Sequence, residues 1–221
     1  MYNHYQQPTQ GKGHYVIKVN GEGTLAVSPD LASINLGVIS EGKDLLTAQQ
    51  QNGQSSTKVI NALLSLGLNK TDIQTFDYRI ESEYDYEQGK QLFRGYKITN
   101  IIQVKIVDLS MIGKIVDNSV QQGVNYVSNV QFKVKDKERY DHQALALALQ
   151  NAMEKAKVIA NTLNVSLSPV PHLIVEGGTT ERPFPLHMET IVKGISSTNF
   201  EPGQINVTAN VLVEYHYRPK Y

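Results

Sequence analysis

Two glycines near the start of the chain have the spacing of a nucleotide-binding motif. Gly21, Gly23 and Ala26 form Gly-x-Gly-x-x-Ala after a strand-like segment. In dinucleotide-binding proteins this motif leads directly into a helix whose N-terminus binds the pyrophosphate. Here Ser28-Pro29-Asp30 follows, and Pro29 disfavours helical geometry at the residue before it. The segment is therefore interpreted as the first hairpin of the fold, whose glycines permit a bulge or the close approach of another backbone. No cofactor-binding residue is assigned.

Four carboxylates alternate along one predicted strand and share one of its faces: Glu81, Glu83, Asp85 and Glu87. Such carboxylates can bind calcium or act as an acid–base pair, but the glycine and aspartate spacing of a calcium loop does not occur around them. A hairpin turning near Gly89-Lys90 accounts for them better. It places Glu83 opposite Lys97 and Asp77 opposite Gln103, and cross-strand charge pairs contribute about 0.2–1 kcal/mol each while fixing the register.

The histidines offer no recognisable ligand set. They are His4, His14, His142, His172, His187 and His216, and no two of them have the i, i+4 spacing of a helical metal site. Asp141 and His142 are adjacent on a helix and point in different directions. The chain also lacks the Gly-x-Ser-x-Gly motif of a nucleophilic serine. We therefore assign no catalytic residue, no metal ligand and no cofactor, and we expect a protein that is not an enzyme.

Charge and composition exclude further classes. The chain has 221 residues, and 21 basic residues balance 21 acidic ones, which argues against nucleic acid as a partner. Without cysteine there are no disulfides or zinc–thiolate sites. No apolar run approaches the roughly 20 residues of a membrane-spanning helix. The polar start of the chain is not a signal peptide, so we expect a cytoplasmic protein, or a periplasmic or envelope protein if an export signal has been removed.

Hydrophobic periodicity predicts an α+β fold of antiparallel sheet with about three helices on one face. Residues 1–13 form a disordered tail, and Gly11-Lys12-Gly13 within it lacks the Ser or Thr of a phosphate loop. A single domain over 14–221 follows. Its predicted strands are 15–27, 32–40, 72–87, 93–107, 124–135, 170–176 and 205–217, and its predicted helices are 44–66, 109–122 and 137–163.

Tyrosine is unusually frequent, with twelve residues against five phenylalanines and no tryptophan. Six tyrosines lie on or beside predicted strands: Tyr84, Tyr86, Tyr96, Tyr126, Tyr215 and Tyr217. Tyrosine suits half-exposed sheet faces at subunit interfaces and also ordinary sheet packing, and both interpretations stay open. In the acidic hairpin, the face opposite the carboxylates is predicted to pack. Its residues are Tyr78, Ile80, Tyr84 and Tyr86.

The stretch 177–203 is predicted to be a long irregular loop. Loops of this length are usually functional or disordered, and this one carries large apolar residues: Phe184, Leu186, His187, Met188 and Phe200. One hypothesis is a lid over a pocket that binds a small molecule. The preferred hypothesis is that these residues pack across the domain or onto a neighbouring subunit.

Taken in order, short motifs along the chain resemble the SIMPL-domain family. They are Val19-x-Gly21-x-Gly23, Pro29-Asp30-x-Ala32, Ala62-Leu63-Leu64-x-x-Gly67-Leu68, Asp72-Ile73-x-Thr75, Gly95-Tyr96-x-x-Thr99-Asn100, Asp108-Leu109, Gly113, Gly123, Phe132, the Ala-rich stretch Ala144-Leu145 to Ala156-x-x-x-Ala160, and Pro202-Gly203. The resemblance covers about residues 15–217. It implies an α+β fold, large ring-like homo-oligomers in bacterial members, and no established enzyme activity. The expected function is a self-associating protein with itself as partner, related to stress or to the cell envelope.

Overall fold

The computed structural model of the protein describes residues 15–184 and 199–220, without the side chains of 182–184. Nine strands and three α-helices follow one another along these residues, and two short 3-10 turns, Lys70–Asp72 and Leu109–Met111, precede β3 and α2. The elements are β1 Val16–Val27, β2 Leu31–Gly42, α1 Leu45–Ser65, β3 Ile73–Glu87, β4 Lys90–Ile106, α2 Ile112–Gln121, β5 Tyr126–Val127, β6 Gln131–Lys133, α3 Lys137–Thr162, β7 Val165–Leu167, β8 Leu173–Phe184 and β9 Gln204–Pro219. The predicted α+β class is confirmed.

The described residues form two compact units. The terminal unit comprises residues 15–27, 136–182 and 206–220, and the central unit comprises residues 28–135, 183–184 and 199–205. The single domain expected over 14–221 stays a prediction. The strands pair into two separate sheets, one of four strands and one of five.

The central unit is an antiparallel sheet whose inner face is covered by helices. Its strand order is β3-β4-β2, and β5 and β6 both pair with the remaining edge of β2. Alternate residues of β2 and β4 point to the helical side, and α1 packs on these two strands. Burial of apolar side chains between sheet and helices is the main stabilising contribution. The buried core consists of Ala32, Ile34, Leu36, Val38, Val59, Leu63, Ile102, Val104, Ile106, Ile112, Ile115, Val116 and Val124.

The ends of α1 follow from its flanking residues. The Asp44 side chain accepts a hydrogen bond from the Thr47 backbone N–H at 2.8 Å, which satisfies one of the unpaired donors of the first turn. After the helix, Gly67 has a φ of +94°, and the N–H of Leu68 bonds back to the Leu63 carbonyl at 3.3 Å. This is the left-handed ending that favours glycine, so the predicted cap at Gly67 is confirmed.

A buried polar network explains the polar middle of α1. Asn52 is only 1% exposed, and its Nδ2 donates to the Val38 carbonyl oxygen at 2.8 Å and to Ser40 Oγ at 3.2 Å. One turn later, Ser56 Oγ accepts from Asn100 Nδ2 at 3.0 Å. Since buried polar groups are costly unless they are paired, these contacts fix the position of α1 over β2 and β4.

The terminal unit has β9 at the centre of its sheet. β1 pairs with one edge of β9, while β7 and β8 pair with it as well. The helix α3 packs on β1 with a stripe of alanines, one every four residues, each at most 2% exposed. They are Ala144, Ala148, Ala152, Ala156 and Ala160. The predicted use of alanine for close approach is confirmed.

Gly21 and Gly23 lie where α3 approaches β1 most closely. A Cβ on Gly21 would be 2.1 Å from the Ala148 carbonyl oxygen, and one on Gly23 would be 2.2 Å from the Ala144 carbonyl oxygen. Real side chains do not approach backbone so closely, so only glycine fits at either position. Of the two roles predicted for these glycines, the close approach of another backbone is the one observed.

Side chains of α3 also satisfy backbone groups of β1. Asn151 Oδ1 accepts a hydrogen bond from the Glu22 N–H at 3.2 Å, and Lys155 Nζ donates to the Asn20 carbonyl oxygen at 2.8 Å. Unpaired backbone groups on an edge strand are templates for pairing with other chains. These contacts therefore protect β1.

The predicted hairpin between the first two strands is wrong. β1 pairs with β9, whereas β2 pairs with β4, β5 and β6, so the two strands belong to different sheets. The turn at 28–30 is instead tied to the end of β6 and the residues just after it. The Asp30 N–H donates to the Lys133 carbonyl at 3.2 Å, and the Lys135 N–H donates to Asp30 Oδ1 at 2.6 Å. The turn therefore carries the chain from one sheet to the other.

Two other boundaries also differ from the prediction. The single strand expected over 124–135 is two short strands, because the Ser128 hydroxyl and N–H both bond to the backbone of Asn35 between them. The irregular loop expected from Gly177 begins later, since β8 continues to Phe184. Backbone pairing with β9 holds this polar, glycine-containing segment extended despite its weak strand pattern. Residues 185–198 lie outside the described residues.

Candidate interaction surface

The long hairpin of β3 and β4 carries most of the residues singled out from the sequence. Its turn is Gln88-Gly89, with φ values of +48° and +78°, the left-handed pair that matches the twist of a two-residue hairpin. In the register that follows, Tyr84 lies opposite Phe93, and Ile80 lies opposite Ile98.

One side of this hairpin exposes large apolar side chains, which we call the Tyr face: Tyr78, Ile80, Tyr84, Tyr86 and Phe93. They are 41–75% exposed, so the prediction that this face packs within the chain is wrong. The reason is that α1 packs on β2 and β4, while β3 is the edge strand beyond them. From α1, Gln49 reaches the Tyr face with a hydrogen bond from its Nε2 to the Tyr78 hydroxyl at 3.3 Å.

Ring contacts hold part of the Tyr face in place. Phe93 packs edge-on against Tyr84, with ring centroids 5.7 Å apart, and against Tyr96 at 5.1 Å. Such aromatic pairs contribute about 0.5–1.5 kcal/mol beyond area burial. Because these rings are already ordered, their contact with a partner loses little conformational entropy.

The opposite side of the hairpin is charged, but its register differs from the prediction. Lys97 lies opposite Glu81, two residues from the predicted partner Glu83. The turn at Gln88-Gly89 begins one residue earlier than assumed, and an irregularity between Glu83 and Tyr84 then moves the pairing back by only one residue, which leaves Lys97 opposite Glu81. Bulges of this kind cannot be recognised from alternation alone.

The second predicted pair is also wrong. Asp77 lies opposite Ile101 instead of Gln103, after an irregularity between residues 75 and 77. Its carboxylate pairs along its own strand with Arg79 Nε at 2.8 Å, and Arg79 also contacts Glu81 at 3.9 Å. Exposed pairs of this kind contribute little stability, so this face is a solvated one.

Metal-ligand groups and membrane-spanning helices are both absent from the described part of the chain. Among residues 15–184 and 199–220, no group of three or more His, Asp or Glu side chains is placed to hold a metal ion. No helix within the same ranges is long and apolar enough to cross a membrane. Gly21 and Gly23 lie inside β1 with a turn and another strand after them, which is incompatible with a pyrophosphate site at a helix N-terminus.

The remaining tyrosines divide between the two interpretations left open by the sequence. Tyr215 is buried at 3% exposure, and its burial raises the pKa of its phenol. Tyr217 packs against Tyr15 with ring centroids 5.4 Å apart. Tyr126 is 39% exposed. Ordinary packing therefore accounts for Tyr215, whereas Tyr84 and Tyr86 have the exposure of interface residues.

One pair of histidines cannot be recognised from sequence spacing, because its members, His172 and His216, are far apart in the sequence. The rings of His172 and His216 lie 4.3 Å apart between centroids. In contrast, His142 is exposed near Glu138, and its neighbour Asp141 pairs with Lys137 at 2.7 Å. The other three histidines of the sequence lie outside the described residues.

The end of the predicted loop contributes to a groove beside α2. Phe200 packs against the core of the central unit and lines an open cavity of about 530 Å³ together with polar residues of α2 such as Lys114 and Asn118. Leu186, His187 and Met188 lie outside the described residues, as does the Phe184 side chain.

Comparisons with known proteins identify relatives over most of the chain. A family model described as SIMPL, protein of unknown function (DUF541), matches residues 17–215. The 26 kDa periplasmic immunogenic protein of Brucella melitensis is 32% identical over 159 residues, which cover 70% of this chain and 64% of that protein. The uncharacterized protein YggE of Escherichia coli is 27% identical over 154 residues, covering 70% and 63% respectively. The chain thus matches less than two thirds of the length of these relatives.

Proposed function

The chain belongs to the SIMPL family, and we propose that it is a non-enzymatic, self-associating protein that forms homo-oligomers through the Tyr face. The exposure of five large side chains on one side of one hairpin carries this proposal. Contiguous apolar patches above a few hundred Å² mark interaction sites. An aromatic side chain covers 150–250 Å², so five residues at these exposures present roughly 500 Å².

This area suits one side of an interface between copies. A standard interface buries about 800 Å² on each partner, so the Tyr face supplies the apolar centre and the polar residues around it supply the rim. The charged side chains of β3 discourage pairing of its backbone edge with another β3, because charges on an edge strand oppose such pairing. Association is therefore face to face, with the aromatic rings as anchors.

The experiment is light scattering coupled to gel filtration over a range of protein concentrations. Wild-type protein is expected at a multiple of the 24.6 kDa chain mass. The double variant Tyr84→Thr/Tyr86→Thr removes two anchors while keeping residues that favour strands, and hot-spot anchors contribute about 2 kcal/mol or more each. Loss of about 2 kcal/mol from even one anchor corresponds to about 30-fold, so the dissociation constant of the double variant's oligomer is expected to rise at least 30-fold.

Tyr15→Thr is the matched control, since Tyr15 is 56% exposed but lies outside the Tyr face. It is expected to associate like the wild type. A wild-type protein that stays monomeric at all concentrations would disprove self-association. Equal weakening by both variants would disprove the Tyr face as the interface.

We infer a periplasmic or envelope location from the Brucella relative, whose name calls that protein periplasmic. The alternative of a cytoplasmic protein lacks such support. A role in stress also stays a proposal. Fractionation of cells that express the full-length gene tests the location, because a periplasmic protein is released when the outer membrane is permeabilised.

The groove beside α2 supports a second candidate function, the binding of a small molecule. It combines the Phe200 ring with the amide of Asn118 and the ammonium group of Lys114, the mixture of apolar wall and few polar groups found in ligand sites. A thermal-shift screen of metabolites tests it. A true ligand raises the melting temperature of the wild type, and Lys114→Ala and Phe200→Ser lessen that rise; a screen with no such compound rejects this candidate.

A further inference from the structure

The dipeptide Asn52-Gly53 lies in the middle of α1, with the asparagine side chain directed towards the sheet. Asn52 is 1% exposed. Its Nδ2 donates to three oxygen atoms: the Val38 carbonyl at 2.8 Å, Ser40 Oγ at 3.2 Å and the Ile98 carbonyl at 3.4 Å. Because a carbonyl oxygen only accepts hydrogen bonds, this position requires a donor. An amide nitrogen supplies one and a carboxylate does not.

Asparagine followed by glycine is the sequence in which asparagine, a thermolabile residue, loses its amide most readily. The Gly53 nitrogen gives up its proton to solvent and attacks Asn52 Cγ, and ammonia leaves as a cyclic imide forms. Water then opens the imide at either carbonyl and yields aspartate or isoaspartate, so the net change is hydrolysis of the side-chain amide. Glycine favours the attack because it has no Cβ and leaves the backbone unusually free.

The folded structure prevents this reaction in two ways. Gly53 lies inside α1, where its N–H donates to the carbonyl four residues earlier and its nitrogen is not free to attack. The Asn52 amide is also held towards the sheet, since Nδ2 donates to β2 through the Val38 carbonyl and to β4 through the Ile98 carbonyl. An unfolded chain has neither restraint, so the reaction depends on whether the protein is folded.

We propose that Asn52 is a deamidation site that is open only in the unfolded chain, and that its reaction makes unfolding irreversible. Aspartate at this position would place a charged oxygen against the Val38 and Ile98 carbonyls, and an unpaired buried charge is strongly unfavourable. Isoaspartate would add a methylene group to the backbone inside α1 and interrupt its hydrogen bonds. Chains that have reacted therefore cannot restore α1 over β2 and β4. Chemical modification of unfolded chains is one way in which unfolding becomes irreversible.

A second Asn-Gly sequence, Asn20-Gly21 in β1, provides an internal comparison. Asn20 is exposed, and Lys155 Nζ of α3 contacts its backbone carbonyl at 2.8 Å. An aspartate side chain at position 20 would lie in solvent, where a charge costs little. Both asparagines react in the unfolded chain, but the aspartate product is compatible with the fold at position 20 and incompatible with it at position 52.

The test incubates full-length protein at mildly alkaline pH, either in buffer or in urea above the unfolding midpoint. Trypsin releases Asn52 in peptide 44–58, which contains no other asparagine, and tandem mass spectrometry measures the conversion of its amide to an acid. Because about 10⁻³ or less of a native protein is unfolded, we expect Asn52 to react at least about 100-fold more slowly in buffer than in urea. The fraction of chains that refold on dilution, measured by circular dichroism, is expected to fall as Asn52 reacts.

Gly53→Ala is the matched variant, because a Cβ at this position meets no atom within 4 Å in the folded protein but hinders the attack on Asn52. In urea its Asn52 is expected to persist and its refolding yield to be retained, while Asn20 reacts as in the wild type. Asn52→Asp is expected to unfold at a lower urea concentration than the wild type or to fail to fold, whereas Asn20→Asp keeps the wild-type midpoint.

Four results would each overturn the proposal. Asn52 could react equally fast in buffer and in urea, or it could stay intact in urea. Chains modified at position 52 could refold with the stability of the wild type. Finally, Gly53→Ala could lose its refolding yield as fast as the wild type, which would assign the loss to another site.

Discussion

Replacing Gly23 by alanine tests the packing of β1 against α3 most directly. The added Cβ would lie 2.2 Å from the Ala144 carbonyl oxygen, 2.4 Å from the Ala148 nitrogen and 2.7 Å from Leu147 Cβ. Ordinary contact begins at 3.4 Å. The helix would therefore have to retreat by about 1 Å, because two of the three obstructing atoms are backbone and no rotamer change can move them.

The expected loss of stability follows from two opposing effects. Overpacking of this kind costs about 1–3 kcal/mol, and rigid backbone on the other side places Gly23→Ala at the upper end. Replacing a glycine also reduces the conformational entropy of the unfolded chain, which offsets about 0.4–1 kcal/mol of the lost stability. We expect the free energy of unfolding to fall by about 2–3 kcal/mol.

The assay is urea denaturation followed by circular dichroism, together with hydrogen exchange of the α3 amides. Gly53→Ala is the matched control, because Gly53 lies in α1 and a Cβ there meets no atom within 4 Å. In a helix interior this change stabilises by about 0.5–1 kcal/mol. The two substitutions should thus have opposite signs. A Gly23→Ala protein as stable as the wild type, with unchanged exchange in α3, would refute the steric argument.

Two further substitutions test α1. Asn52→Ala removes the amide that donates to the Val38 carbonyl and Ser40 Oγ, and should lower the free energy of unfolding in urea by about 1–3 kcal/mol; an unchanged value would contradict the role of the network. Asp44→Ala removes the carboxylate whose pKa is held below its usual 3.8 by hydrogen bonds from the Thr47 side chain and, second, from the Thr47 N–H. Because the folded pKa is depressed, the stabilisation is present above the unfolded pKa and is lost as the pH falls through the folded value. The variant should therefore melt below the wild type at neutral pH, and the difference in melting temperature should disappear in acid; a difference independent of pH would contradict a charged cap.

Helices were predictable from the sequence because their cause is local. The apolar stripe from Ala48 to Leu63 and the glycine at Gly67 determine the extent of α1 through contacts within a few residues. The predicted helix, 44–66, therefore differs from the observed one by only one residue at each end. The alanine stripe of α3 similarly predicted close packing. Repeating apolar positions along one helix face specify burial whatever covers that face.

Strand pairing was less predictable because the partner of a strand can lie far away from it in the sequence. Nothing in residues 15–40 shows that β1 and β2 belong to different sheets, since β1 has its partner in β9. Bulges in the β3–β4 hairpin shift its register without changing the alternation by which strands are recognised.

The candidate surfaces depend on tertiary placement for the same reason. An amphipathic β3 predicts an apolar face, but its exposure follows from α1 lying over β2 and β4 instead. Likewise, His172 and His216 become neighbours only through the pairing of β8 with β9. Sequence spacing finds side chains that are brought together on one helix or loop and misses those brought together across strands.

The placement of β1 next to β9 has a consequence for synthesis on the ribosome. Of the strands in the described residues, β1 is made before the others, and its neighbour in the sheet, β9, is made after them; the Tyr217 N–H of β9 donates to the Tyr15 carbonyl at 3.0 Å. The strands and helices of the central unit are made between them and have their partners at hand early. The nascent chain must therefore keep the apolar residues of β1 soluble until β9 has been made and pairs with β1.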